Sequence, residues 1–424
     1  MILFFKIIYG SKKKKHKSKN TLLNRRKFLK NKKRKFQNDN YYKFSYYKAI
    51  ILVLLLFFII IQEKKQNSLY IFFHAIISEK KYDDFERMKC IYSQDQKFKP
   101  FLEQINIIDH VHINNYKYIK KKKNIIHICN SLNNKYIYPI LVSMESVLMN
   151  CNKKNTYIIY HILCSPDLTE DNLSMIKSLI NKYLLNLEII FYNMGDIFMN
   201  RDSSRHSQAT YYKILTPIFV DNDRILYLDG DTLTFKDLNE MYQMDFNNNY
   251  VLGAYDYFRS GVDYLGIKSK IYINAGVIIL NLEKIRNDKM HELIDVINNN
   301  SIKLSSNDQT LINYVLYPNI GRLPSKYIIF NFYDESDIKV YLKIIRTKVD
   351  YYEVLNGFKD PTIIHNVLCW PKLWSKKAKY IKGATNCSER KDCDCKKHHN
   401  LWNSLAEKTD YYNQIIKYYE KNLM

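Results

Sequence analysis

The chain has 424 residues, 46% of them hydrophobic and 25% charged, and a formal net charge of +24. This length and balance exclude a disordered polymer and a minimal disulfide-stapled scaffold, and fit one large globular domain with appendages. Most of the excess charge lies at the start, where residues 1–48 hold 17 Lys and Arg against one acid, Asp39.

Taken alone, the basic block from Lys12 to Lys35 reads as a nucleic-acid patch or a nuclear signal. Its neighbour argues for a membrane instead. The run Ala49 to Ile61 has no polar residue. Extended back through Lys48, Tyr47, Tyr46 and Phe44, which suit a membrane interface, it reaches the roughly 20 residues that a spanning helix needs. Gln62-Glu63-Lys64-Lys65 offers no small-residue cleavage site, so an uncleaved anchor is expected. The positive-inside rule keeps the N-terminus cytosolic and puts the rest in a lumen. The expected organisation is a basic tail (1–43), a transmembrane signal anchor (44–62), a stem (63–120), a compact domain (121–382) and a C-terminal extension (383–424). This describes a single-pass type II protein of the ER or Golgi with no nucleic-acid partner. The basic block serves as a topology signal with some attraction to anionic lipid. Abundant Lys, Asn, Ile and Tyr also fit an AT-rich coding sequence, so mutational drift is an alternative source of some of the basic and Asn-rich character.

The domain begins near Asn124. Ile125–Cys129 reads as a strand, Tyr138–Met149 as a helix, Tyr157–Leu163 as a strand, and Thr169 as the start of a helix with Glu170 in its first turn. Leu187–Tyr192 is a third strand, Ala209–Phe219 a helix, and Arg224–Leu228 a buried strand rich in β-branched and aromatic residues. This alternation predicts an α/β fold whose mostly parallel sheet is covered on both faces, with ligands at the carboxyl ends of its strands. There the chain presents Asp229-Gly230-Asp231. Residues i and i+2 of a strand share a side, so both carboxylates face one ligand, and the glycine permits close approach. Two hard oxygen ligands suit Mg²⁺ or Mn²⁺ held against a diphosphate. Asp-Gly-Asp is equally ordinary turn chemistry.

Further on, Tyr272–Asn281 reads as a strand interrupted by Asn274-Ala275-Gly276, small residues that mark a bulge or a close approach. Asn307 or Asp308 is a natural N-cap for the helix that follows. His365 follows the strand Thr362–Ile364. The piece from Asn400 to Met424 reads as an amphipathic helix. Cys90, Cys129, Cys151 and Cys164 are scattered, while Cys369, Cys387, Cys393 and Cys395 lie late. The tight Cys-x-Cys spacing favours disulfides over zinc. Asn172, Asn299 and Asn386 open glycosylation sequons.

The order of these pieces, from about Asn124 to Trp374, resembles the family 8 glycosyltransferases. The resemblance implies a Rossmann-like nucleotide-diphosphosugar transferase domain of the GT-A type, preceded here by one transmembrane helix. It also implies transfer of a hexose from a UDP-sugar, UDP-glucose or UDP-galactose, with retention and with Mn²⁺ (or Mg²⁺). Asp229 and Asp231 resemble the family's metal-binding Asp-x-Asp, and His365 its late histidine ligand. Asn133 and Tyr136 resemble the residues that contact uridine and stack on uracil. Lys213 resembles the cation given to the donor, and Asn274, Ala275 and Gly276 the segment lining the sugar pocket. Asp308 and Gln309 resemble the pair facing the transferred sugar, and Asp256 an acid of the sugar and acceptor region. After His365 the pattern departs: Leu368 stands where the family has glycine, and Lys372, the candidate for the diphosphate, comes one place late. The acceptor expected is a glycan, glycoprotein or lipid. The departure motivates a second reading, a degenerate transferase fold that binds glycans or scaffolds without catalysis.

Overall fold

The computed structural model describes residues 83–112, 124–183, 186–198, 208–256, 271–332, 334–345, 348–367, 372, 374 and 396–421. The chain divides into two units, Met1–Ile71 and Phe72–Met424, and every described residue belongs to the second. The basic tail, the anchor at 44–62, the sequon at Asn386 and Cys369, Cys387, Cys393 and Cys395 lie outside the described residues. Among the described residues no helix is long and apolar enough to cross a membrane.

The β-branched and aromatic runs become strands, and their order in space sets where the site forms. In chain order they are β1 (Asn106–His112), β2 (Asn124–Leu132), β3 (Thr156–Cys164), β4 (Leu187–Asn193), β5 (Arg224–Leu228), β6 (Thr232–Thr234), β7 (Val251–Tyr255), β8 (Ile273–Asn281), β9 (Ile320–Arg322), β10 (Ile328–Phe330) and β11 (Ile363–His365). The main sheet runs β1-β4-β3-β2-β5-β8-β7-β9. Strands β4, β3, β2 and β5 are mutually parallel, as the alternating pattern requires. The sheet is mostly parallel, but two strands run against it: β1 against β4, and β8 against both β5 and β7. A second, three-stranded sheet has the order β10-β11-β6.

Helix α1 (Ile137–Asn150) links β2 to β3, and α2 (Glu170–Tyr183) links β3 to β4. Helix α1 is apolar almost all round and is buried accordingly. Each fully buried Ile, Leu or Val of this kind contributes about 1.5–3 kcal/mol relative to exposure. The one acid in α1, Glu145, is buried but matched by Lys182 Nζ and the Tyr183 hydroxyl of α2, both at 2.6 Å. Polar contacts fasten α1 to β6: Ser143 Oγ lies 2.9 Å from Thr232 Oγ1, and Ser146 Oγ accepts from the Thr234 amide at 3.0 Å.

Local structure differs from the sequence reading at several points. The helix expected over 209–219 is a 3₁₀ segment, Gln208–Leu215, followed by one α-turn, Thr216–Phe219. Pro217 enters at the first turn, where its missing amide hydrogen costs nothing. Residues 83–112 fall in the segment expected as a stem, yet Asn106–His112 is an edge strand and Phe85, Phe98, Phe101 and Leu102 are buried in the core. Helix α3 (Asn307–Val315) is not capped by Asn307 or Asp308. Its N-cap is Ser306, without a side-chain bond, and Asn307 takes a φ of 48°, a left-handed value that asparagine tolerates. The single C-terminal helix expected is two, α4 (Lys396–Ala406) and α5 (Tyr412–Lys421). Cys129 and Cys164 are buried free thiols, Cys151 is buried, and Cys90 is an exposed free thiol.

Candidate functional site

Strand β5 ends at Leu228, and the two carboxylates follow at its carboxyl end. They do not sit on a strand. Asp229 to Thr232 forms a turn, closed by the Thr232 amide (3.2 Å) and hydroxyl (2.8 Å), both donating to the Asp229 carbonyl. The Asp229 amide extends the β5–β8 ladder by donating to the Gly276 carbonyl at 2.7 Å. Gly230 abuts α1, since a Cβ there would lie 2.8 Å from Ile140 Cγ1. The turn is thus held on three sides before any side chain of the site is considered.

His365 comes from the other sheet. It ends β11, and its register partner is Thr232 of β6, the residue after Asp231. Ladder pairing therefore carries the imidazole to the carboxylates. His365 Nε2 lies 3.1 Å from Asp231 Oδ1 and 3.7 Å from Asp229 Oδ2. One ligand atom from each of the three residues falls within 4.8 Å of the others. Asn366, which the sequence reading missed, fixes this junction. Its amide and its Nδ2 both donate to the Asp231 carbonyl, at 3.0 and 2.9 Å. Its position directly after His365 was the only available signal.

Two oxygens and an imidazole nitrogen are a donor set for a divalent cation such as Mn²⁺ or Mg²⁺. The backbone opposite fits that use. A Cβ on Gly276 would sit 2.2 Å from His365 Cε1 and 2.4 Å from Asp229 Oδ2. Only glycine lets β8 pass so close to the three ligands.

Lys372 Nζ pairs with the second Asp231 oxygen, Oδ2. Burial acts to raise the Asp231 carboxyl, but Lys372 and His365 outweigh it and hold the group well below the usual carboxylate range. Burial alone would lower Lys372, and Asp231 reverses this, keeping the ammonium charged. Despite the shifted spacing noted in the sequence, Lys372 reaches the cluster.

Lys213 is placed differently. It is only 1% exposed. Its Nζ bonds Asp308 Oδ2 at 2.7 Å and the Ala275 carbonyl at 3.1 Å, over the Tyr227 ring at 3.6 Å. Its charge is matched by Asp308. The Asn274-Ala275-Gly276 segment borders both groups. Gln309 Nε2 donates to Asp256 Oδ2 (2.7 Å) and the Tyr272 hydroxyl (3.2 Å), while its Oε1 accepts from the Ala275 amide (3.2 Å). Asn274 Nδ2 lies 3.4 Å from the other Asp256 oxygen. Asn313, also missed, bonds the Ile273 amide and carbonyl and the Gln309 carbonyl, each at 2.8 Å, so that α3 and the start of β8 move as one.

Asn133 and Tyr136 lie at the carboxyl end of β2. Asn133 Oδ1 accepts from the amides of Lys135 and Tyr136 at 3.1 and 3.2 Å. That bonding shapes the 3₁₀ turn Asn134–Tyr136 and leaves the Tyr136 ring 37% exposed. All of the candidate residues except Asn133 and Tyr136 thus belong to two linked clusters, one around Asp231 and one around Asp308 and Gln309.

The chain is similar to known glycosyltransferases in sequence and in fold. The profile of the family described as "Glycosyl transferase family 8" matches residues 127–365, more than half of the chain. Glycosyltransferase GlyE of Streptococcus pneumoniae is 27% identical over 122 residues, covering 28% of this chain and 28% of that protein. Lipopolysaccharide 1,2-glucosyltransferase of Escherichia coli is 24% identical over 197 residues, 42% of this chain and 57% of that protein. The matches thus span about a quarter of one relative and just over half of the other. Among solved structures, the galactosyltransferase LgtC in complex with donor and acceptor sugar analogs superposes with a TM-score of 0.52 at 18% identity, over 68% of this chain and 100% of that one. That likeness is one of fold.

Proposed function

Because the chain belongs to glycosyl transferase family 8, we propose that it moves a hexose, glucose or galactose, from its UDP-sugar to a glycan, glycoprotein or lipid acceptor, with retention of configuration. The observation that carries this reading is the convergence of Asp229, Asp231 and His365 across the glycine-cleared backbone at Gly276. The names of the related glucosyltransferase and galactosyltransferase support a hexose as the group moved.

Asp229, Asp231 and His365 would hold a divalent ion, Mn²⁺ by preference, which would supply positive charge for the donor's diphosphate. The chain's own residues do the rest. Lys372, paired with Asp231, adds a cation at the same place, suited to the charge that grows on the departing phosphate. Tyr136 offers an exposed ring on which uracil stacks. Gln309, fixed by Asp256, Tyr272 and the Ala275 amide, faces the sugar with its orientation already determined, so little ordering cost remains when the donor arrives. Being uncharged, Gln309 orients rather than attacks, and Asp308 is engaged by Lys213. We therefore favour front-face transfer. The bond from the anomeric carbon to the β-phosphate oxygen breaks, its electron pair leaves with UDP, and the acceptor oxygen bonds on the same face. The acceptor proton passes to the departing phosphate.

Incubating the purified full chain with a panel of UDP-sugars, with and without Mn²⁺, tests the assignment. Metal-dependent release of UDP from UDP-glucose or UDP-galactose is the expected result. No turnover with any donor, together with nucleotide binding indifferent to Asp231→Ala, would overturn it. The basic tail and the apolar run at 49–61 support a type II anchor over 44–62 with the domain in the ER or Golgi lumen. Digestion of the domain by protease added to intact microsomes would refute that placement.

A further inference from the structure

The two C-terminal helices have no part in the chemistry above, yet they converge on it. Helices α4 and α5 pack over the start of α1, where the Tyr138 ring lies 5.0 Å from Tyr418 and 6.1 Å from Tyr419. Trp402 of α4, 2% exposed, sits 6.2 Å from Tyr419 of α5. Trp374 rests against both, 6.2 Å from Trp402 and 6.4 Å from Tyr419. From there it meets Tyr136 in a T-shaped contact, at 6.0 Å and 78°. Trp374 is two residues beyond Lys372, which pairs with Asp231. One aromatic cluster therefore touches the ring that would stack on the base and stands two residues from the lysine beside the metal ligands.

We propose that α4 and α5 brace the donor's base, Trp402 and Tyr419 clamping Trp374 so that Tyr136 is set in its stacking position before the nucleotide arrives. The proposal rests on the UDP-sugar reading and deepens it. An exposed tyrosine held from behind by an edge-to-face contact gives up its rotamer freedom on folding rather than on binding. Base stacking tolerates any π-face but needs the ring in one place. The brace therefore acts on donor affinity and leaves the barrier of the chemical step alone. Trp402, Tyr419 and Trp374 are positioning residues in this scheme.

The test separates KM from kcat. Donor hydrolysis by the full chain is measured with UDP-glucose and UDP-galactose in Mn²⁺, and UDP affinity is measured by calorimetry. Trp402→Leu and Tyr419→Leu are expected to raise donor KM and UDP Kd about five- to tenfold while kcat stays within about twofold. Trp374→Ala, at a half-buried position, is expected to do the same. Trp374→Phe, which keeps an aromatic edge, is expected to recover most of the loss. A general loss of structure would instead lower kcat as well, and kcat falling with KM unchanged overturns the brace. So does UDP affinity equal to that of the unaltered chain in all three folded variants. If the unaltered chain itself binds no UDP, the donor assignment fails, and the brace with it.

Discussion

Lys213 Nζ and Asp308 Oδ2 form an ion pair, 2.7 Å apart, deep in the protein. The pair joins the 3₁₀ segment before β5 to helix α3, and through the Ala275 carbonyl to β8. Such a pair is weak evidence of net stabilisation, but removing one partner leaves the other charged and desolvated. Asp308→Ala or Lys213→Ala alone should lower unfolding free energy by about 3–5 kcal/mol. The double variant Lys213→Met/Asp308→Leu should recover most of that loss while remaining poorly active. Urea unfolding of the four proteins checks it, and a double variant no more stable than the singles would contradict it.

Gly276→Ala should empty the metal seat. The added methyl would lie 2.2 Å from His365 Cε1 and 2.4 Å from Asp229 Oδ2. The imidazole or the carboxylate must move, and either shift spoils the three-ligand geometry. Mn²⁺ affinity, read by electron paramagnetic resonance of the free ion, should fall about 100-fold. Unchanged Mn²⁺ binding would mean that the ion sits elsewhere.

Asp256 holds the Gln309 amide through a 2.7 Å bond. Asp256→Ala leaves Gln309 with the Tyr272 hydroxyl and the Ala275 amide, too few contacts to fix its rotation. The expected result is a kcat for donor hydrolysis reduced about 10- to 100-fold, with UDP affinity unchanged. A matched loss in both would place Asp256 in donor binding instead.

Protonation of His398 should loosen the C-terminal helices. The imidazole is buried on α4 with Nε2 3.3 Å from the Phe332 carbonyl. Burial lowers its pKa from 6.5 to about 4, against a smaller opposing effect of that carbonyl. The folded state thus keeps the ring neutral where the unfolded chain takes up a proton. Its contribution is complete above pH 6.5 and is lost as the pH falls from 6.5 to about 4, up to about 3 kcal/mol in all. His398→Gln should flatten this part of the stability profile, measured by urea unfolding at pH 4, 5, 6 and 7. A profile unaltered by the substitution would assign the slope to other groups.

The parallel half of the sheet was legible because β2, β3, β4 and β5 are long apolar runs separated by helical spacing, and the carboxylates stand where the last run stops. What escaped was structure made by pairing rather than by local pattern. Strand β1, Asn106-Ile-Ile-Asp-His-Val-His112, mixes charges into an edge strand and is followed by Lys120–Lys123, so it reads as a polar connector. The reversed direction of β8 leaves no mark on its residues. The i, i+2 argument placed Asp229 and Asp231 on one side, and a turn, not a strand, brings them together. Lys213 and Asp308 were each legible as candidates, but their pairing crosses 95 positions and is a property of the packed core alone. Asn313 and Asn366 are single polar residues whose roles depend entirely on the backbone they meet.

The register of His365 with Thr232 has a consequence for biosynthesis. The metal seat joins positions 134 residues apart, and its third ligand is delivered by the pairing of β11 with β6. A nascent chain released up to β9 already holds both carboxylates and most of the main sheet, yet it is without the imidazole. Under the function proposed above, sugar-transfer competence therefore arrives only after translation has passed His365, when the parallel half of the sheet is free to have folded around a centre still without its imidazole.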